Sequence, residues 1–542
     1  MSLDLSILER EIGVLPGTNG QPLLQPAAAN VDAVFILPND HKAITESARE
    51  IFSVIAPTHT LFIRGRAVVE LLEGPEGHSL FTLRPEALRS RLERYNRMIL
   101  VWKVGDDGKL VLRPKRCPEE TAKALLATRE IQELLPSVNL VVRAPVIVGG
   151  NGKVEILPPG YHPHNGGLLV TGGEVPPEVP LPEALTSLAG LVEEFDFQTL
   201  GDRARALAAF ITPALKMGGF LRAAIPLDVA EADASQSGKT YRQKLVRAIY
   251  KESAYPIGCK NGGVGSLDES LSAALLSGRP FIAIDNLRGK LDSQFLEMVV
   301  TWGDSIAVRV PYQGEVMIAP DNVTFQLTSN GVETTRDLAN RSSIVRIRKR
   351  PDCKFRMYPE GDLLAHVEAS QSYYLGCVFA IVREWATQGR PTTGGAGHDF
   401  REWAGTLDWI CQTILRTGPL LDGHKAAQER TSNPALTWLR RVALAVADAG
   451  RQGDELSASN LYELCEEEGI EVPGLRHADE DKGRKVIGSL MSKCFRDDDE
   501  IEIDHMRASR CEKEEYSSAR QENRKVKRYS FRSRCPTYPT NT

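Results

Sequence analysis

Two short runs carry residue types able to bind a nucleoside triphosphate: Gln236-Ser237-Gly238-Lys239-Thr240, and the apolar run Phe281-Ile282-Ala283-Ile284 closed by Asp285. Gly238 permits a backbone approach that a Cβ would block. Successive amides at a helix start then point at an anion, with Ser237 beside them. Lys239 is placed to reach the β- and γ-phosphates, and Thr240 to ligate Mg²⁺. The pattern departs from G-x-x-x-x-G-K-[ST] at its first position, which is Asp233. Asp285 ends a segment of strand character, where open parallel sheets present ligands, and is the second expected Mg²⁺ ligand, directly or through water. The cofactors this predicts are ATP and Mg²⁺.

Three further residues extend the chemistry from binding to hydrolysis. Many ATPases place a glutamate directly after this aspartate to polarise the attacking water, and here that place is Asn286. Either the base comes from elsewhere or turnover is slow. Glu269, in Ser266-Leu-Asp-Glu269, is the candidate base, and it reads equally as a capping carboxylate at a helix start. The apolar run from Phe325 ends in Thr-Ser-Asn330, which puts Asn330 where a γ-phosphate sensor would sit. Arg341 closes Arg336-Asp-Leu-Ala-Asn-Arg341 and is the candidate arginine finger for a neighbouring subunit's site. Taken alone, it is a surface or ion-paired arginine.

Such residues need elements to hold them. From Ile225 to Arg350, strand-like runs, loops and helical periodicity alternate, which predicts a parallel sheet covered by helices. A helix is expected over 241–250, directly after the lysine. Residues 1–30 read as a flexible arm, and 31–175 as an N-terminal α+β domain built on hairpins, serving as collar or docking domain. Its signals are a helix over 41–55, strands over 60–64, 67–72 and 79–83, and a turn at Gly74-Pro-Glu-Gly77. A proline-rich linker and helical segment follow over 176–224, with helices near 185–192 and 202–216. Beyond the ATPase core, 225–350, a helical lid is expected over 351–430. Over 431–531 come three amphipathic helices and two short strand-like pieces, the pattern of a winged helix, and 532–542 is a basic tail.

Composition narrows the class. The chain has 542 residues, 42% hydrophobic and 25% charged, with a formal net charge of -5. It is not globally basic, so nucleic-acid contact would have to be local. No apolar run reaches the ~20 residues that span a bilayer, and the N-terminus lacks a signal-peptide pattern. The expected setting is cytoplasmic, without a membrane. Nine cysteines without paired short spacing suggest neither a zinc site nor a disulfide framework. His162 and His164 read as a turn with two exposed imidazoles rather than a metal pair.

The order of lysine loop, Asp-Asn strand end, Thr-Ser-Asn strand end and Asp-Leu-Ala-Asn-Arg resembles the AAA+ ATPases. More specifically it resembles the replicative helicases of phages, plasmids and genomic islands, related to the superfamily 3 and MCM-like helicases. The resemblance is good over 180–350 and looser outside. It implies an α/β AAA+ P-loop core, a hexameric ring of identical subunits with ATP sites between them, and single-stranded or forked DNA in the channel. In that family a hairpin ahead of the sensor strand grips DNA. Here the run from Ser305 to Ala319 reads as such a hairpin, with Arg309, Tyr312 and Gln313 at its tip, although it equally reads as packing on the sheet. In the winged-helix region Lys482, Arg484, Lys485, Lys493 and Lys527 are candidate phosphate contacts. A winged helix also binds protein. The alternative to a helicase or translocase is an ATPase switch (a loader, regulator or defence sensor) without processive unwinding, and behind it a nucleotide-binding scaffold without turnover.

Overall fold

The computed structural model describes residues 34–533, apart from 75–76, 96–97, 151–152, 233–236, 258–265, 288–289, 302–304, 311–313, 321, 331–332, 351–355, 395–396, 433, 471, 474, 476–479, 496–497, 504–505 and 518–521. The N-terminal arm, Asp233, Tyr312, Gln313 and the tail beyond Ser533 lie outside the described residues.

Six strands form the central sheet, in the order Asp196–Phe197, Ser342–Arg348, Leu227–Ala232, Thr324–Asn330, Phe281–Leu287, Tyr255–Ile257. The first is antiparallel at one edge and the other five are parallel. Their sequences are what burial on both faces demands: near-continuous apolar runs rather than alternation. Phe281, Ile282 and Ile284 are buried, as are Leu227, Val229, Ile344 and Val345. Helices pack on this sheet: Leu200–Met217 and His424–Ser432 against Ser342–Arg348, Lys239–Ile249 against Leu227–Ala232, and Leu267–Leu276 against Tyr255–Ile257. The lysine helix begins two residues earlier than its periodicity suggests, because Lys239 itself opens it.

The strand order matters for function. Thr324–Asn330 comes fourth of the five parallel strands along the chain but pairs with both Leu227–Ala232 and Phe281–Leu287. It therefore separates the strand leading to the lysine loop from the strand carrying Asp285. The expected hairpin is present between the acidic and sensor strands, as Ile306–Val310 paired antiparallel with Gly314–Ile318. Ile306, Val308, Val316 and Ile318 are buried, while Ala307, Arg309, Glu315 and Met317 alternate with them and are exposed.

The N-terminal region contains the predicted helix, as Ile44–Ile55, and an antiparallel sheet of Leu61–Arg64, Ala67–Gly74 and Gly77–Thr82. It is stitched to the core. The buried Arg64 guanidinium donates to Leu275 O at 2.7 Å, at the end of Leu267–Leu276. Leu80 N–H donates to Ser277 O at 3.0 Å and Val141 N–H to Gly278 O at 2.9 Å. Gly278 has φ 72°, and a Cβ there would meet Leu80 Cδ1 at 2.8 Å. The proline-rich run is also packed rather than loose: Val179 is buried, and Pro177 O lies so close to Gly376 that a Cβ there would meet it at 2.6 Å.

The lid holds Leu363–Ala369, Gln371–Thr387, Arg401–Trp409 and His424–Ser432. The first and last escape the sequence reading because one is short and the other, His-Lys-Ala-Ala-Gln-Glu-Arg-Thr-Ser, shows little apolar periodicity. The C-terminal unit has three helices, Pro434–Asp448, Ala458–Glu467 and Glu480–Cys494, and a three-stranded antiparallel sheet, Glu500–Ile503, Met506–Ser517 and Glu522–Ser533. Its core is separate, with Trp438, Leu439, Leu461, Ile487, Met491, Phe495, Tyr529 and Phe531 buried together. The middle strand is a finding beyond the sequence reading. Arg507, Arg510, Glu512, Lys513, Glu514 and Glu515 hide it in the sequence, and over 506–514 only Met506 and Ala508 are buried.

Candidate nucleotide site

The site lies at the C-terminal ends of the parallel strands. Gly238 caps the helix Lys239–Ile249 with φ 91°, a backbone state that a side chain would strain. A Cβ there would also stand 3.0 Å from the Phe195 ring. Lys239 is 8% exposed. Burial pulls its ammonium below the ordinary lysine range, and Asp285 pulls it back up. Thr240 Oγ1 donates to Asp285 Oδ1 at 3.0 Å. The loop lysine, the hydroxyl after it and the strand-end carboxylate, which are 45 residues apart at the hydrogen bond, are thus one cluster.

The acidic strand breaks its ladder at this point. Ile284 pairs with Leu327, and the next pair is Leu287 with Ser329, so Asp285 and Asn286 bulge out of the sheet opposite Thr328. Both are exposed, and Asn286 has φ 53°. Asparagine tolerates this left-handed state better than most residues, which gives a conformational reason for Asn286 where a glutamate was looked for. Thr328 secures the bulge. Its Oγ1 donates to Asp285 Oδ1 and accepts from Asn286 N–H at 2.8 Å.

The donor set suits ATP with Mg²⁺. Ser237 Oγ is buried with no hydrogen-bond partner among the described residues, a donor left over that a phosphate oxygen could accept from. A hydroxyl and a carboxylate are hard oxygen ligands, and Mg²⁺ takes one or two carboxylates together with phosphate and water. Among the described residues there is no group of three or more His, Cys, Asp or Glu able to hold a metal on its own.

Beneath the cluster, buried polar groups tie the lysine helix to the two strands beside it. Arg242 Nη2 donates to Asp228 Oδ1 at 2.6 Å. Gln243 Nε2 donates to Asp228 O at 2.9 Å and Leu327 O at 3.1 Å. Arg247 bonds to Gln326. The lid joins at Tyr241, whose hydroxyl accepts from Leu364 N–H at 2.7 Å. Burial pushes that phenol up to about 12.

The remaining candidates fall in several places. Glu269 lies in the first turn of Leu267–Leu276, where its backbone N–H donates to the capping Ser266 Oγ at 3.3 Å, and its side chain is exposed. Asn330 ends the sensor strand beside the site, and its side chain lies outside the described residues. Arg341 is at the opposite end of the strands, beside their N-terminal ends. Leu227 N–H donates to Arg341 O at 3.0 Å, and Leu227 starts the strand whose far end, Ala232, leads into the lysine loop. Five residue steps of parallel strand span about 16 Å, beyond the reach of one arginine side chain. Arg309 is exposed on the hairpin. Lys482, Lys485 and Lys493 are exposed along Glu480–Cys494, with Arg484 half-buried. Lys527 stands across from Glu512, and its neighbour Lys525 across from Glu514, so this sheet face is charge-balanced in a way the basic run alone did not show.

Sequence reasoning missed Thr328 and the Asp228–Arg242 pair. A cue to the first was present in the polar alternation Thr324, Gln326, Thr328, Asn330 along an otherwise apolar strand.

No protein-family model matches the chain, and no curated protein matches it. Solved structures show weak likeness. The A-form apo structure of the NrS-1 C-terminal region is 12% identical, covers 80% of this chain and 83% of that one, and has a TM-score of 0.34. An active helicase, Cch of SCCmec type IV, is 11% identical, covers 88% and 93%, and scores 0.32. The JCV helicase is 12% identical, covers 45% and 73%, and scores 0.18. Likeness of this size carries no argument about fold or function.

Proposed function

We propose that the chain is an ATP hydrolase of the AAA+ class, working as a DNA helicase or translocase in a homo-oligomeric ring, a hexamer, that replicates a mobile element. The observation that carries the ATPase reading is the contact of Thr240 with Asp285 at 3.0 Å beside the buried Lys239. It joins a phosphate loop and an Mg²⁺ carboxylate at the ligand-binding edge of a parallel sheet. Lys239 and the amides after Gly238 bind the phosphates, Thr240 and Asp285 hold the ion, and Asn330 senses the γ-phosphate. Mg²⁺, when bound, neutralises charge on the phosphates. Arg341 is too far from its own loop to serve it, and its Nη1 donates to Glu297 O at 3.4 Å; as the proposed arginine finger it would serve a neighbour's site. The exposed Arg309 and the lysines of Glu480–Cys494 support DNA contact, with Tyr312 and Gln313 as further candidates from the sequence and Lys527 weakened by Glu512.

The test is ATP turnover with and without single-stranded and forked DNA. Wild type is expected to hydrolyse ATP, faster with DNA, and to unwind a fork. Lys239→Ala should lose turnover and unwinding together while its unfolding midpoint stays near wild type. Unwinding that survives Lys239→Ala sinks the proposal. One observation favours the second reading, a slow ATPase switch: Asn286 offers no carboxylate after Asp285. Turnover indifferent to DNA, without unwinding, selects that reading.

A further inference from the structure

We infer that Thr328 is a positioning residue for the Mg²⁺ carboxylate, acting through the bulge it holds; the inference rests on the ATPase reading above. Three observations converge on its hydroxyl. It is 1% exposed, so it does not exchange partners with solvent. It donates its one proton to Asp285 Oδ1 and accepts from Asn286 N–H at 2.8 Å. It also stands alone opposite the two bulged residues, between the pairs Ile284–Leu327 and Leu287–Ser329.

The chemistry follows from this placement. A left-handed Asn286 is a strained state that persists only where its surroundings over-determine it, and here the Thr328 hydroxyl satisfies the Asn286 N–H, a backbone donor at the bulge. The same hydroxyl fixes one oxygen of the Asp285 carboxylate from the side of the sheet. With that oxygen held, Thr240, which also donates to it at 3.0 Å, could turn to a bound Mg²⁺ without setting the carboxylate loose. Thr328 itself does not touch nucleotide or metal. Its neighbour on the same strand face, Gln326, is engaged by Arg247 instead, so the role belongs to position 328 rather than to the polar stripe as a whole.

The test compares Thr328→Val, which keeps the shape and removes the hydroxyl, with Thr328→Ser, which keeps the hydroxyl and removes the methyl. Binding of a fluorescent ATP analogue is measured in EDTA and along an Mg²⁺ titration, alongside turnover at saturating ATP. For Thr328→Val the Mg²⁺ concentration at half-maximal response should rise about tenfold, the scale expected when a group orienting a metal ligand is removed. Binding in EDTA should be unchanged, because it uses Lys239 and the loop amides. Thr328→Ser should stay within about twofold of wild type on the same scale. Wild-type Mg²⁺ dependence in Thr328→Val, or equal losses in the two variants, overturns the inference while leaving the ATPase intact. A wild-type chain that neither binds nor hydrolyses ATP overturns the ATPase reading and this inference with it. If the valine variant does not fold, Thr328→Ala carries the same comparison.

Discussion

At the scale of single residues, the site depends on backbone states as much as on side chains. Gly238 holds φ 91° under the Phe195 ring, and Asn286 holds φ 53° beside Asp285. Gly238→Ala adds a methyl where both the dihedral and the aromatic ring oppose it. The left-handed penalty is roughly 1–2 kcal/mol for a residue with a Cβ. The loop is expected to relieve it by shifting, so nucleotide affinity should fall about tenfold, equivalent to ~1.4 kcal/mol. Calorimetric titration with ATP checks this, and unchanged affinity would show that the loop does not need the glycine's conformation. Lys239, Thr240 and Asp285 were legible in the sequence because glycine, lysine and an apolar run ending in aspartate are local patterns. Thr328 was not, because a threonine in a strand has no signature until its neighbour across the sheet is known.

At the scale of elements, the strand Ser342–Arg348 joins the sheet to the lid through buried imidazoles. His424 Nε2 accepts from Ile344 N–H at 3.2 Å, so it works only unprotonated. His398 Nδ1 accepts from Phe400 N–H at 3.1 Å, which leaves its Nε2 as donor to Ser342 O at 3.2 Å. Burial pulls His424 well below its ordinary 6.5, with the Arg205 charge acting the same way, and burial also lowers His398. The sign follows from proton counting. Below pH 6.5 the unfolded chain binds protons that the folded chain refuses, so stability is full above that pH and falls as pH drops through it. His424→Gln can accept the same N–H without titrating. The unfolding midpoint of wild type should fall relative to His424→Gln between pH 7 and pH 5, and parallel midpoints would contradict the assignment. The strand Met506–Ser517 shows the limit of reading elements from sequence: its exposed faces are charged, and pairing across to Glu522–Ser533 holds it in place.

At the scale of the whole molecule, the sheet places Arg341 and the lysine loop at opposite ends of its parallel strands, about 16 Å apart by strand rise. Under the proposed ring, Arg341 would then serve a neighbouring subunit's site rather than its own. Mixing Arg341→Ala with Lys239→Ala protein should therefore restore part of the turnover that each lacks alone, because some interfaces then pair an intact loop with an intact arginine. No recovery at any ratio would count against shared sites. The exposed Lys482 and Lys485 predict a second behaviour of the assembly. Replacing both with alanine should weaken binding to DNA of any sequence and lower the slope of log affinity against log salt by about 1 for each phosphate that is no longer neutralised. An unchanged slope would show that Lys482 and Lys485 neutralise no DNA phosphates and would count against this proposed interface. Among the described residues, no helix is long and apolar enough to cross a membrane.

The sequence by itself determined the chemistry available to this protein: a loop lysine and hydroxyl, a strand-end carboxylate, and the helices and apolar strands that flank them. Those are properties of a few neighbouring residues, set by side-chain type and by the periods 3.6 and 2. Only the tertiary structure decided which of them meet. Inserting Thr324–Asn330 between Leu227–Ala232 and Phe281–Leu287 brought Thr328 to Asp285, bulged Asn286 into its left-handed state and left Arg341 at the far end of the strands. Strand order and register are chosen by the summed burial of residues distant along the chain, a quantity that no short window of sequence contains.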